Sequence, residues 1–222
     1  DSCVSTTNFL ARQEFTLRNI GRKETDLLLS AITMQVTFLN QLDQPTTVHW
    51  NGVRNINAMD GVPGLTQDAV APGDSFTYRF PLRDAGTFWY HAHNNAWEQV
   101  ARVLYGPLIV YEDGEISSNG DITALVDDWR LDDKGQIHIA SLGSLHDWSH
   151  GGRHGNVLTV NGRLEAKIRI PGKGPVRLRF ISAANARIMR FALSDDLPMR
   201  VIEVDGANCA QFDVEMLICL IL

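Results

Sequence analysis

Short runs rich in β-branched and aromatic residues, each closed off by turn formers, constrain this chain more than any other feature. They read Met34 to Leu39, Thr46 to Trp50, Ser75 to Phe80, Thr87 to His91, Gly106 to Tyr111, Ile122 to Val126, Asn156 to Val160, Lys167 to Ile170, Val176 to Ile181, Ile188 to Leu193 and Arg200 to Val204. Turns are supplied by Val-Pro-Gly (Val62 to Gly64), Ala-Pro-Gly (Ala71 to Gly73), Asn161-Gly162 and Pro-Gly-Lys-Gly (Pro171 to Gly174). Segments this short and this regularly interrupted build a β-sandwich or barrel, so the expected class is all-β. Only Ala96 to Leu104 has helical spacing, with Trp97, Val100 and Leu104 on one side.

At 222 residues the chain suits two domains of about 100 residues each. The polar, turn-rich stretch from Glu112 to Gly120 separates two series of strands, which predicts domains over 1–115 and 116–222. A faint repeat points to a duplicated unit: Val36-Thr-Phe-Leu-Asn and Thr47-Val-His-Trp align with Leu178-Arg-Phe-Ile-Ser and Met189-Arg-Phe-Ala. In that alignment His49 faces Phe191, a polar residue in one half against an apolar one in the other.

With 26 acidic residues against 20 basic, the net charge is −6, and no Lys/Arg block could follow a phosphate backbone, so no nucleic-acid partner is expected. The longest strongly apolar run, Val214 to Leu222, falls short of the roughly 20 residues of a spanning helix, so no membrane partner is expected either. The start at Asp1, without Met or an apolar signal region, reads as a processed or trimmed product. Three cysteines, Cys3, Cys209 and Cys219, form no Cys-x-x-Cys and stand beside no His, which gives no support for a disulfide framework.

Chemistry concentrates in Thr87-Phe-Trp-Tyr-His-Ala-His. His91 and His93 are two residues apart at the end of a strand, where i and i+2 point to one face roughly 6 to 7 Å apart. Such imidazoles either hold one metal each of a close pair or share one after a slight bend. Nitrogen donors of this kind suit copper or zinc, while magnesium or calcium would call for carboxylates. His49, in Thr47-Val-His-Trp-Asn-Gly, ends another strand and offers a third nitrogen. A second group, His146, His150 and His154, lies in the Gly- and Ser-containing segment from Leu145 to Gly155 and is expected to be a mobile surface loop.

The stretch from Gln44 to Tyr111 resembles the first cupredoxin domain of the laccase-like multicopper oxidases. The resemblance rests on five blocks in order: Pro45-Thr-Thr-Val-His-Trp-Asn-Gly, Asn57-Ala-Met-Asp-Gly-Val-Pro-Gly-Leu-Thr-Gln, Ala71-Pro-Gly-Asp-Ser-Phe, Ala85-Gly-Thr-Phe-Trp-Tyr-His-Ala-His and Tyr105-Gly-Pro-Leu-Ile-Val. Asp127-Asp-Trp-Arg, Asn161-Gly and Val201-Ile-Glu-Val-Asp-Gly are similar to the family's second, metal-free domain, so the likeness covers about residues 34 to 206.

What the resemblance implies is two cupredoxin-like Greek-key β-sandwiches, the first carrying half of a trinuclear copper site and the second metal-free and cut short. By the same resemblance His49 is a type 2 copper ligand, and His91 and His93 are type 3 ligands. Asp60 is an acid that delivers protons during oxygen reduction, though a turn-forming Asp before Gly61 accounts for it equally well. The implied activity is oxidation of phenolic or metal-ion substrates with reduction of O2 to water, in a periplasmic or secreted setting.

Two departures limit that reading. Position 51 is Asn where the family has a His, and an amide is a poor copper ligand. The His-Cys-His motif of the type 1 copper also has no counterpart, since Cys209 and Cys219 lie outside any such pattern. The copper site is therefore incomplete in this chain, and a C-terminal cupredoxin domain or another chain is the implied partner. The alternative is a copper-free cupredoxin-fold binding or scaffolding protein, like a cell-division member of the family.

Overall fold

Strict alternation of buried and half-buried residues along Gly86–Ala92 makes this segment a strand with one face in a core and one face turned away. The computed structural model describes residues 15–18, 32–111, 120–167, 174–193 and 197–219. The chain divides into two compact units, Asp1–Glu115 and Ile116–Leu222.

In the first unit the strands are β1 (Phe15–Arg18), β2 (Ile32–Leu39), β3 (Val48–Asn51), β4 (Ser75–Leu82), β5 (Gly86–Ala92) and β6 (Tyr105–Tyr111), with a short helix α1 (Ala96–Gln99) after β5. One sheet has the order β1-β6-β5-β3, with β1 parallel to β6 and the other pairs antiparallel. A second sheet pairs β2 with β4 along their full lengths. Val48 and Trp50 from β3, Phe88 and Tyr90 from β5, and Tyr78, Phe80 and Leu82 from β4 meet in one core. Trp50 is 1% exposed and lies 5.4 Å from the rings of Tyr78 and Phe80 and 5.8 Å from Tyr90. Aromatic packing at these distances adds to the hydrophobic gain of burial. Tyr78 also accepts the Val48 N–H at 2.9 Å, tying β4 to the start of β3, and burial pushes its phenol up to about 12.

The second unit holds β7 (Asp121–Trp129), helix α2 (Leu145–His150), β8 (Val157–Val160), β9 (Arg177–Ser182), β10 (Met189–Phe191), β11 (Met199–Val204), β12 (Ala207–Val214) and β13 (Leu217–Cys219). Its pairings are β8-β7-β9, β10-β13 and β11-β12, with β7 parallel to β9. Asn161 takes a positive φ of 50° in the Asn-Gly turn, and its side chain accepts from Leu125 N and donates to Thr123 O, both at 2.9 Å. The turn is thereby sewn to β7.

Several expectations change. The His-containing segment is only partly a loop: Leu145–His150 is helix α2, started by Ser144, whose hydroxyl accepts the Asp147 N–H, while Gly151 to Gly155, with His154, lies outside helix and strand. The helical spacing over Ala96 to Leu104 gives only α1 and a 3-10 turn over Val100–Arg102: Leu104, beyond both, is buried, but Trp97 is 36% exposed and Gln99 is fully buried instead. That helix is one turn long, so backbone satisfaction outweighs its apolar stripe. The sequence pattern stops at Val204, yet Asp205 and Gly206, with φ of 50° and 76°, form a two-residue hairpin turn into β12. The repeat is not visible in the pairings of the described residues, where β2 is antiparallel to β4 and its counterpart β9 is parallel to β7. Alternating residues fit any strand, so such a match carries little register information. The linker from Glu112 to Asn119, most of the Lys167 to Ile170 run and Cys3 lie outside the described residues.

Truncation of the central aromatic tests the packing. Trp50→Ala is expected to cost about 3–5 kcal/mol, measured as a lower urea midpoint with an unchanged slope. Far-ultraviolet circular dichroism of the parent should be dominated by strand.

Candidate metal centre

The pairing of β3 with β5 sets His49 directly opposite His91. Since Val48 and Trp50 enter the core, His49 and Asn51 point to the other face, the same face that carries Trp89 and His91 on β5. His93 follows the strand, held by its N–H to Thr47 O at 3.2 Å. The result is a triangle of imidazoles, with ring centroids 5.3 Å apart for His49 and His91, 5.1 Å for His49 and His93, and 5.8 Å for His91 and His93.

Asp60 arrives from a separate loop. Its backbone oxygen lies 2.8 Å from His49 Nδ1 and its carboxylate Oδ1 3.4 Å from the same nitrogen. The approach depends on Gly61: at φ +77°, a Cβ there would fall 1.8 Å from Val48 O. The Asp-Gly pair is thus a turn and a site element together, because only Gly lets the Asp60 loop lie against the β3 backbone.

A carbonyl oxygen only accepts, so His49 Nδ1 must donate to Asp60 O. His91 Nδ1 likewise donates to Ala92 O at 3.0 Å. Both rings keep the Nε2 lone pair for a ligand, the arrangement in which backbone partners orient metal-binding imidazoles. Burial lowers His91 to about 4, partly offset by the Ala92 hydrogen bond and reinforced by His49 and His93. His93 is lowered as well, first by burial and then by His49. These rings are neutral donors at neutral pH, a donor set that fits copper. Among the described residues no group of three or more His, Cys, Asp or Glu is placed around a single ion.

Two positioning residues escaped the sequence reading. Gln99 on α1 accepts the Thr46 hydroxyl at 2.6 Å and donates to Pro45 O at 3.0 Å, and Asn94 donates to the same oxygen at 2.7 Å. They fasten the segment entering β3 to the segment leaving β5, the two that carry His49 and His93. A lone Gln between Glu98 and Val100 gives no signal of this role.

Comparison with known proteins gives the family. A family model for multicopper oxidases matches residues 29–115. Laccase-1 of Cryptococcus neoformans var. neoformans serotype D (strain B-3501A) is 34% identical over 200 residues, 78% of this chain and 31% of that protein. A copper resistance protein A homologue of Pseudomonas syringae pv. tomato (strain ATCC BAA-871 / DC3000) is 36% identical over 107 residues, 47% of this chain and 18% of that one. The crystal structure of a multi-copper oxidase from Pseudomonas parafulva superposes with a TM-score of 0.80 at 30% identity, covering 94% of this chain and 50% of that one. The chain belongs to the multicopper oxidase family, whose cofactor is copper, and has its all-β cupredoxin-like architecture. It spans about a third of the length of the curated laccases it matches and about half of the solved chain.

Two outcomes follow for the metal-free protein. Gly61→Ala should lower the melting temperature, because the new methyl group cannot coexist with Val48 O. His91 in the folded state refuses a proton down to about pH 4, whereas an unfolded imidazole accepts one near 6.5. Stability is therefore complete above about pH 6.5 and falls as pH drops from there toward 4. Urea midpoints across that range should decline less for His91→Gln than for the parent.

Proposed function

We propose that the chain is the N-terminal part of a laccase-like multicopper oxidase, one that oxidises phenolic or metal-ion substrates and reduces O2 to water. The clustering of His49, His91 and His93 within 6 Å of one another carries this reading. In it the first unit is a cupredoxin domain over 1–115 that supplies half of a type 2/type 3 copper group, and the second, 116–222, is metal-free. When bound, copper supplies the electron transfer to dioxygen. The chain's own part is to hold neutral imidazoles in place, to keep His49 in one tautomer through Asp60 O, and to keep a carboxylate beside that ring. Asp60, 32% exposed at its side chain, is open enough to exchange protons with solvent and close enough to the cluster to pass them on.

The remaining ligands and the electron-entry copper belong, on this reading, to a C-terminal cupredoxin domain or another chain. That agrees with the partial coverage of the relatives. The names of those relatives, laccases and a copper resistance protein, support a periplasmic or secreted location. A copper-free scaffold would have no need of three clustered rings, two of them held with their Nε2 lone pairs available.

Copper titration of the full chain tests the proposal. His49→Ala, His91→Ala and His93→Ala should each weaken copper binding by at least roughly tenfold, while Asp60→Asn leaves binding in place. Asn51→His should strengthen it, because position 51 shares the face of His49. The chain by itself should show no intense blue copper-thiolate colour and no phenol oxidation. Equal copper binding by the parent and all three alanine variants would defeat the assignment.

A further inference from the structure

We propose that His146 and His150 form a second metal site, which takes a single exchangeable cupric ion on the second unit and owes nothing to the His49 cluster. The two residues are four apart on α2, so they share one helix face. Their rings are stacked with centroids 4.3 Å apart and planes 15° from parallel. Two histidines at this spacing on a helix are a recurrent way to chelate a metal ion.

Protonation and order favour it. His150 Nδ1 lies 2.9 Å from His146 O, so the carbonyl holds the proton on Nδ1 and leaves the Nε2 lone pair for a metal. Ser149 Oγ, 2.9 Å from the same nitrogen, supports that orientation. His146 Nδ1 is 3.9 Å from an Asp147 oxygen, too far for a hydrogen bond, and its side chain is 79% exposed, so its ring can turn toward the ion. Asp147 is engaged elsewhere, paired with Arg130 at 3.0 Å. His154 is also occupied, with its Nε2 3.1 Å from Gly151 O.

The helix carrying the pair is fastened at both ends, which distinguishes it from a loop that would have to be ordered by the metal. Asp147 O accepts the Gly152 N–H at 2.8 Å, and the buried Arg153 donates from Nε to Ser141 Oγ at 2.9 Å. Gly152 itself lies so close to Ala186 that a Cβ would come within 2.3 Å of that methyl group. Two imidazoles with water in the remaining positions select copper over nickel and zinc by the general order of divalent affinities. With only two protein ligands, His146 and His150, the ion stays exchangeable.

The test is a titration of the full chain with Cu(II) alone against a chromophoric chelator, read also by electron paramagnetic resonance. In a His91→Ala/His93→Ala background one equivalent should remain with a nitrogen-ligated spectrum. Adding either His146→Gln or His150→Gln should weaken it by at least about tenfold, since losing one arm of a chelate forfeits its effective concentration. Zn(II) should bind the same background less tightly than Cu(II). If that background fails to fold, His146→Gln and His150→Gln in the parent should each remove one equivalent from the total. Either substitution leaving the affinity within twofold of its background and the number of equivalents unchanged would overturn the proposal, whatever becomes of the His49 cluster.

Discussion

The register between β3 and β5 is the constraint on which the rest of the first unit depends. Strand side chains alternate with a period of two, so a slip of one residue would exchange the two faces. Here the core face carries Trp50, Phe88 and Tyr90, whose burial holds the register firmly. The opposite face then has no choice but to bring His49 against His91. Aromatic packing inside the sandwich and the imidazole cluster outside it are thus two consequences of one pairing.

The site is completed by groups that act through the backbone rather than by more ligands. Pro45 O collects donors from Gln99 and Asn94, Asp60 O receives His49, and Ala92 O receives His91. Backbone carbonyls are fixed by the sheets and turns around them, so they orient rings more rigidly than long side chains would. Burial acts in the same direction, since His91 is kept neutral chiefly by desolvation. A neutral ring with one nitrogen committed to a carbonyl has one donor left, aimed by the fold.

The second unit uses charge differently. Asp128, 1% exposed at its side chain, receives Arg187 at 3.0 Å and the Gly155 N–H, and Arg179, 2% exposed at its side chain, is paired with Asp121 at 2.7 Å. Buried pairs like these add specificity more than net stability, because desolvation offsets much of their attraction. The Asp128 contacts nevertheless pin the segment around Gly155 to β7, close in sequence to the helix that bears His146 and His150, while the Arg179 pair ties β9 to β7.

The amino-acid sequence by itself determined the all-β class, the family blocks from Pro45 to Val110 and the His91-Ala-His93 spacing. Each is a local property, set by side-chain alternation or turn chemistry within a few residues. It also made His49, Asp60 and the departure at Asn51 visible, though only through resemblance. Tertiary structure alone decided that His49 faces His91, that Gly61 must be Gly because Val48 O stands where its Cβ would be, and that Gln99 is interior. It likewise turned the His146 segment from an expected loop into a capped helix, through Asp147 with Arg130 and Arg153 with Ser141. Those partners are many residues apart in the chain, and contacts closed by the fold leave no periodic trace in the sequence.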